Sequence, residues 1–297
     1  MKNITSAYRE MHKHIIAEES EQDTITEETI NEALIVLNNK AYPKFGNVVI
    51  MAGGSASGKG FIIDNLLAME GKKFDVDALK ALAMKTVKLK KRILDEFGVD
   101  LDQTDLKDYN QTTELHAIMK ELGIDDKISH AFANSVINTT PDRKPNLIFD
   151  VTLQNLRKLE TTCNMVKKWG YKNENIHIVW VITDIVVALE SNEKRDRRVR
   201  PEMLIDIHEG VSKTMLGILK MGKGLSHYMD GDIIFSFNKI GVDNKVEKSK
   251  HTERTMYVTT RDYFTIKKAG EDILGLEEVE ESVRKKVASY VPHSEQW

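Results

Sequence analysis

The chain has 297 residues, of which 41% are hydrophobic and 30% charged, and its formal net charge is −3. This composition is typical of a globular protein with a large buried core. A pI near 6.3 excludes a global attraction to nucleic acid or to an anionic membrane. Cys163 is the single cysteine, which excludes an internal disulfide. The sequence has neither an apolar run long enough to span a bilayer nor a secretory signal, so we expect a cytoplasmic protein.

The two ends of the chain differ in pattern from its middle. Residues 1–45 are expected to form a polar leader and then an amphipathic helix over 24–39, which opens with a capping box. Residues 244–297 are expected to be an accessory segment with a charged linker, a hairpin over 255–267 and a charged helix over 275–289. Both ends are candidates for docking a protein partner.

Residues 46–243 alternate short apolar runs with helical patterns. The predicted strands are 47–51, 73–76, 146–150, 176–182 and 232–237. The predicted helices are 60–69, 153–169, 184–192 and 202–221, with a helical insert over about 78–145. Continuous apolar strands joined by helices predict an α/β fold, a three-layer sandwich with a mostly parallel central sheet. Ligands of such sheets bind at the carboxyl ends of the strands.

A glycine-rich sequence follows the first predicted strand directly. It consists of Gly53, Gly54, Ser55, Ala56, Ser57, Gly58 and Lys59. The glycines let consecutive N–H groups point into one cavity, and the next helix adds its own free N–H groups. Lys59 would reach the β- and γ-phosphates of ATP or GTP. The strand–loop–helix order therefore predicts a P-loop (residues 53–59) and a sandwich of the P-loop NTPase or kinase type.

The residue after Lys59 departs from the motif. A Ser or Thr hydroxyl normally coordinates Mg²⁺ at this position, which is Gly60 here. Three interpretations stay open. A carboxylate holds Mg²⁺ through water, Ser55 or Ser57 contributes a hydroxyl, or catalysis is weakened while the phosphate-binding loop persists.

Carboxylates follow two other predicted strands. Asp75 and Asp77 share one face of their strand end, because alternate residues of a strand point the same way. One of them could orient an acceptor hydroxyl and take its proton, although Asp77 could instead cap the next helix. Asp150 closes the third strand and could hold Mg²⁺ through water, bind substrate, or serve as a partner at the start of the next helix.

An arginine-rich sequence precedes Pro201. Its arginines are Arg195, Arg197, Arg198 and Arg200. Because arginine makes bidentate contacts with phosphate, this run predicts a lid that closes over the nucleotide, with a solvated surface as the alternative.

The nine histidines show no metal-ligand spacing, and His208 is interpreted as a surface or capping residue. The lysine-rich stretch 80–92 leaves nucleic-acid contact as a less favoured interpretation, because no aromatic residues interleave with it.

Taken together, these features resemble the zeta-toxin-like P-loop kinases over about residues 45–240. The resemblance is carried by the P-loop, residues 74–77, residues 146–152, Gly170-Tyr171 and the arginines before Pro201. It implies a phosphotransferase that uses ATP or GTP with Mg²⁺ and an alcohol acceptor, a nucleotide or nucleotide sugar. The best-known members phosphorylate UDP-N-acetylglucosamine. The family usually has Glu where this chain has Asp150, so the acceptor stays open.

The resemblance also implies roles for individual residues. Lys59 would bind the phosphates, Asp75 or Asp77 would be the base, and Arg195 and Arg198 (or Arg200) would stabilise the transferred charge. The whole chain also resembles predicted kinases encoded by large tailed bacteriophages, which would act in the host cytoplasm. Some relatives of that type phosphorylate hydroxymethyl groups on modified DNA bases. Two alternatives therefore remain: a kinase of DNA, RNA or modified bases, and a nucleotide-binding structural or accessory protein of a phage particle.

Overall fold

The computed structural model describes residues 35–40, 43–75, 81, 84–238, 245–248, 255–258, 263–273, 275–292 and 295–297. Within these ranges the strands are β1 (Val48–Ala52), β2 (Lys72–Phe74), β3 (Leu147–Asp150), β4 (Ile176–Thr183), β5 (Ile233–Asn238), β6 (Lys245–Lys248), β7 (Thr255–Val258) and β8 (Tyr263–Lys267). The α-helices are α1 (Lys59–Asn65), α2 (Val87–Phe97), α3 (Tyr109–Glu121), α4 (Ile124–Ile137), α5 (Leu156–Lys168), α6 (Ile185–Glu193), α7 (Pro201–Lys220) and α8 (Glu281–Tyr290).

The main sheet has the strand order β2-β3-β1-β4-β5-β8. The first five of these strands are parallel, and β8 is antiparallel to β5. This is the α/β fold with a mostly parallel central sheet that the sequence predicts. Among the described residues, no helix combines the length and the apolar character needed to cross a membrane.

Alternation along β1 places side chains in two separate cores. Val48 and Ile50 lie in a core that also contains Leu159 of α5 and Met215 of α7. Their neighbours Val49 and Met51 lie in another core with residues of α1. Because alternate residues of a strand point to opposite faces, helices cover both faces of the sheet, which gives the predicted three layers.

Cys163 lies fully buried in the α5 core. Burial raises the pKa of its thiol to about 12, so this side chain stays neutral and packs as a small apolar residue.

The segment before β1 differs from its prediction. The helix expected over 24–39 is wrong at its C-terminal end, because Ile35 instead bridges Leu67 as an extended residue. Asn38 and Asn39 have left-handed φ values of 52° and 54°, which a helix does not allow. Residues 1–34 lie outside the described ranges. Helix α1 also ends at Asn65, before the predicted residue 69, because residues 66–68 pair with Ile35.

Helices α2, α3 and α4 form the predicted helical insert around a small apolar cluster of their own. Ile93, Leu115 and Met119 are buried there. The insert is not one continuous helix, since Gly98 ends α2 with a left-handed φ of 70°. Asp108 then starts α3 by accepting hydrogen bonds from the backbone N–H groups of Asn110 and Gln111.

The hairpin expected over 255–267 is wrong. Strand β7 pairs with β6, and β8 pairs with β5 in the main sheet. Phe264 of β8 packs its ring against Phe237 at 5.9 Å between centroids, which favours attachment to the sheet over a local hairpin. Helix α8 replaces the longer predicted helix over 275–289 and buries Val283 and Val287 in the large core.

Phe149→Ala is expected to lower the free energy of unfolding by about 3–5 kcal/mol. Phe149 is 1% exposed, and its ring lies 5.1 Å from that of Phe74 and 6.2 Å from that of Trp169. Urea unfolding followed by circular dichroism measures the change. Phe45→Ala is the matched control, because Phe45 is 50% exposed, and it should change stability by well under half as much. Equal effects of the two substitutions would contradict the assigned core.

Candidate active site

The parallel register of β1, β3 and β2 brings three chain segments to one edge of the sheet. Met51 of β1 pairs with Asp150, the last residue of β3, and Phe149 pairs with Phe74 of β2. Asp75, the next residue after β2, therefore lies beside Asp150. The P-loop follows β1 at the same edge, so the predicted loop and two of the predicted carboxylates meet. Asp77 lies outside the described residues.

The backbone of the P-loop has the unusual conformations that the motif requires. Gly53 has a φ of 151° and Gly58 a φ of 90°, both of which favour glycine. Ala56 has a φ of 59°, a strained value for a residue with a side chain, which costs on the order of 1–3 kcal/mol. Strain of this kind persists only where surrounding contacts hold the loop.

Two strand ends supply such contacts. Thr183 at the end of β4 donates from Oγ1 to the carbonyl oxygen of Ser57 at 2.6 Å. Asn238 at the end of β5 donates from Nδ2 to the same oxygen at 3.2 Å. The Ser57 hydroxyl itself is buried and has no hydrogen-bond partner in the described part of the chain. Both strand ends therefore hold the loop through its backbone.

His208 of α7 supplies a third support and corrects the sequence interpretation. It is 7% exposed, not a surface or capping residue, and its Nε2 lies 2.9 Å from the Ser55 carbonyl oxygen. Burial lowers the pKa of His208 to about 4, with a smaller contribution from the positive charge of Lys59. The imidazole is therefore neutral near pH 7. Because a carbonyl oxygen only accepts, Nε2 carries the proton and donates it to Ser55.

The position of His208 also explains Gly54. A Cβ atom at Gly54 would lie 2.2 Å from Cδ2 of His208, far inside van der Waals contact. The sequence carries a signal for this burial, since His208 continues the helical spacing of Leu204, Val211 and Met215, all buried on α7.

Four alternating charges connect the P-loop with the two strand-end carboxylates. Lys59 Nζ lies 3.8 Å from Asp150 Oδ1, and Lys73 Nζ lies 3.6 Å from Asp150 Oδ2. Lys73 Nζ also lies 3.6 Å from Asp75 Oδ2. Lys59 in addition donates to the carbonyl oxygens of Gly53 and Gly54 at 2.8 and 2.9 Å. The proposed phosphate-binding lysine is thus adjacent to Asp150.

Sequence reasoning missed Lys73. Its two-residue spacing from Asp75 is the available signal, since both side chains project from the same face of the β2 segment. The neighbouring Lys72 points the other way and donates to the carbonyl oxygen of Ser135 on α4. Only the pairing of β2 with β3 brings Lys73 to Asp150.

The arginine segment, residues 194–200, connects α6 to α7, and hydrogen bonds hold its two ends together. Asn192 is fully buried and clamps Val199 with two hydrogen bonds, from its Nδ2 to the Val199 carbonyl and from the Val199 N–H to its Oδ1. Arg195 extends from this loop and donates from Nη1 to Ser55 Oγ at 2.7 Å. The structure therefore places Arg195 at the P-loop.

Arg198 and Arg200 contact the helical insert and its neighbours. The backbone N–H of Arg198 donates to the Leu106 carbonyl, and its side chain pairs with Glu193 at 2.9 Å. Arg200 donates from Nη2 to Oδ1 of Asn110. Of Arg195, Arg198 and Arg200, the three arginines to which the resemblance gives a role, Arg195 is the one that contacts the P-loop within the described residues.

The site suits Mg²⁺ only together with a nucleotide and water. Within the described ranges, no three His, Cys, Asp or Glu side chains are grouped closely enough to hold a metal ion. Kinase sites usually bind Mg²⁺ through one or two carboxylates, substrate phosphates and water. Asp150 is the strand-end carboxylate beside Lys59 of the P-loop, and its two oxygens lie 3.8 Å from Lys59 and 3.6 Å from Lys73. Gly60 has no hydroxyl, and the Ser55 hydroxyl accepts a hydrogen bond from Arg195.

No protein-family model and no curated protein matches the chain. Among solved structures, one similar chain is from the PezAT chromosomal toxin–antitoxin system of the human pathogen Streptococcus pneumoniae. It shares 13% identity over 67% of this chain and 70% of that chain, with a TM-score of 0.35. Two others are AvrRxo1-ORF1:AvrRxo1-ORF2 complexes, with ATP (10% identity) and with sulphate ions (12% identity). Both have a TM-score of 0.40 and cover 84% of this chain and 72% of the other. Values this low carry no conclusion about activity.

Gly54→Ala is expected to weaken binding of an ATP analogue by about tenfold or more, because its Cβ displaces either the P-loop or His208. Isothermal titration calorimetry measures the affinity. Gly60→Ala is the matched control, since a Cβ at Gly60 meets nothing within 4 Å, and it should bind normally.

The double variant Gly54→Ala/His208→Ala removes the atoms that clash, so it should recover part of the lost affinity. Loss of binding in Gly60→Ala but not in Gly54→Ala would contradict this account of the loop.

Proposed function

We propose that the protein is a P-loop kinase that transfers the γ-phosphoryl group of ATP or GTP to a hydroxyl of a nucleotide or nucleotide sugar. The observation that carries the proposal is a P-loop adjoining two strand-end carboxylates, Asp75 and Asp150, with Arg195 above the loop. The motif resemblance to the zeta-toxin-like kinases supports the same conclusion. A cytoplasmic location, in a host cell if a phage encodes the chain, fits this chemistry.

Each residue of the site has a proposed role in such a transfer. The P-loop backbone and Gly60 N–H hold the phosphates, and Lys59 neutralises charge on the β- and γ-phosphates. Asp75 or Asp77 accepts the proton of the acceptor hydroxyl. The oxygen of the acceptor hydroxyl then bonds to the γ-phosphorus. The bond from the γ-phosphorus to the β–γ bridging oxygen breaks, and the nucleoside diphosphate leaves.

The arginines stabilise the charge of the group in transfer. Arg195 is positioned for this by its contact with Ser55. Arg198 is proposed as a second catalytic arginine and Arg200 as a nucleotide contact, which requires both to exchange their partners Glu193 and Asn110 for phosphate. Such an exchange is typical of lids that close over a substrate. Asp150 is proposed to hold Mg²⁺ through water, and that ion would supply further neutralisation of the phosphates.

One observation supports a second candidate function, a nucleotide-binding accessory protein. Gly60 occupies the position whose hydroxyl normally binds Mg²⁺, and loss of metal affinity harms catalysis more than nucleotide binding. Polynucleotide substrates have less support. Within the basic stretch of the insert, Lys90 pairs with Asp102 and Arg92 with Glu96, which reduces the positive charge offered to a phosphate backbone.

Incubation with γ-³²P-ATP or γ-³²P-GTP and a panel of nucleotides, nucleotide sugars and oligonucleotides tests the proposal directly. A labelled acceptor is expected, and Lys59→Met should abolish the label because it removes the cation on the phosphates. Lys168→Met is the control: Lys168 is exposed at the end of α5, where the chain has returned to the opposite edge of the sheet. Tight nucleotide binding without transfer to any acceptor would favour the accessory protein.

Asp75→Asn is expected to leave nucleotide affinity unchanged and to reduce the rate of transfer by about 10²–10⁴-fold, the usual contribution of a general base. Single-turnover kinetics with the labelled acceptor measures the rate. Asp64→Asn, an exposed carboxylate on α1, is the control. A wild-type rate in Asp75→Asn, with loss of transfer in Asp77→Asn, would assign the base to Asp77 instead.

A further inference from the structure

We propose that Lys73 is a positioning residue of the site, a fixed cation that holds Asp75 and Asp150 side by side and excludes a divalent metal ion from between them. Its ammonium lies 3.6 Å from an oxygen of each carboxylate. Lys73 lies outside the P-loop and takes no part in the proposed phosphoryl transfer.

The need for such a cation follows from the sheet register. Phe74 and Phe149 pair across β2 and β3, so the residues that follow them, Asp75 and Asp150, are neighbours on adjacent parallel strands. Adjacent strands lie about 4.8 Å apart. Two carboxylates at that separation repel when both are ionised, and they either share a proton or bind a cation.

Burial makes the repulsion effective. The side chains of Asp150 and Asp75 are 17% and 24% exposed, so water screens them only in part. Lys73 extends from β2 on the same side as Asp75 and reaches both groups. A lysine has the compact charge and three donors needed to contact two carboxylates at once.

Lys59 contacts Asp150 as well, at 3.8 Å, but its position differs. Lys59 belongs to the P-loop, and on the proposed function its charge is directed to the phosphates. Lys73 lies on the far side of Asp150 from the P-loop, toward Asp75. It contacts Oδ2 of Asp150, whereas Lys59 lies near Oδ1, and it occupies the place between the carboxylates where a metal ion would otherwise bind.

Binding of Mn²⁺ alone tests the inference without reference to activity. Removing the cation takes away the one charge that contacts both carboxylates, so Lys73→Met should bind Mn²⁺ roughly tenfold or more tightly than the wild type. The intensity of the free Mn²⁺ signal in electron paramagnetic resonance measures this. Lys72→Met, which removes the adjacent lysine that contacts Ser135, should bind Mn²⁺ as the wild type does.

Lys73→Arg keeps the charge and should also behave as the wild type, which covers the case in which Lys73→Met does not fold. Equal Mn²⁺ affinity in Lys73→Met and the wild type would overturn the inference. So would tighter binding in Lys73→Arg.

The consequence for transfer rests on the proposed function. Lys73→Met should lower kcat at least about tenfold with little change in KM for ATP, because the carboxylates move while the P-loop does not. Lys73→Arg should recover most of kcat. If the wild type transfers no phosphate, the proposed function fails while the Mn²⁺ measurement still decides the role of Lys73. If Lys73→Met instead raised the KM for ATP and left kcat unchanged, the result would count against the positioning role.

Discussion

The parallel pairing of β1 with β3 and of β3 with β2 is the constraint on which the candidate site depends. Parallel strands end at the same edge of a sheet, so the loop after Met51 and the carboxylates of Asp150 and Asp75 meet there although Asp150 is remote from the other two in the chain. The two buried cores hold this register, because a shift of one residue would exchange the side chains of the two faces. The chemistry of the edge thus depends on packing far from it.

The P-loop is held from several elements, and its glycines serve different purposes. Gly53 and Gly58 provide backbone angles that other residues avoid, while Gly54 makes room for the imidazole of His208. Gly60 has open space around it and departs from the motif for no steric reason. Backbone anchoring from β4, β5 and α7 stabilises a strained loop, which is how a protein keeps N–H groups aimed at a ligand before it arrives.

The arginine segment is connected to both the P-loop and the helical insert. Arg195 contacts Ser55, whereas Arg200 contacts Asn110 of α3. Displacement of the insert would therefore displace the arginine segment through the contact of Arg200 with Asn110.

The sequence by itself determined the order of the five parallel strands, the glycine-rich loop after β1 and the positions of Asp75 and Asp150 after β2 and β3, because these depend on local periodicity and on backbone requirements of glycine. The burial of His208 was also encoded locally, in the helical spacing of its neighbours. Tertiary structure alone decided that β8 joins the main sheet instead of pairing with β7, that Lys73 lies between two carboxylates, and that Arg195 contacts the P-loop while Arg200 contacts the insert. Each of these is a contact between segments remote in sequence, where pairing energy and packing, which no local pattern reports, select the partner.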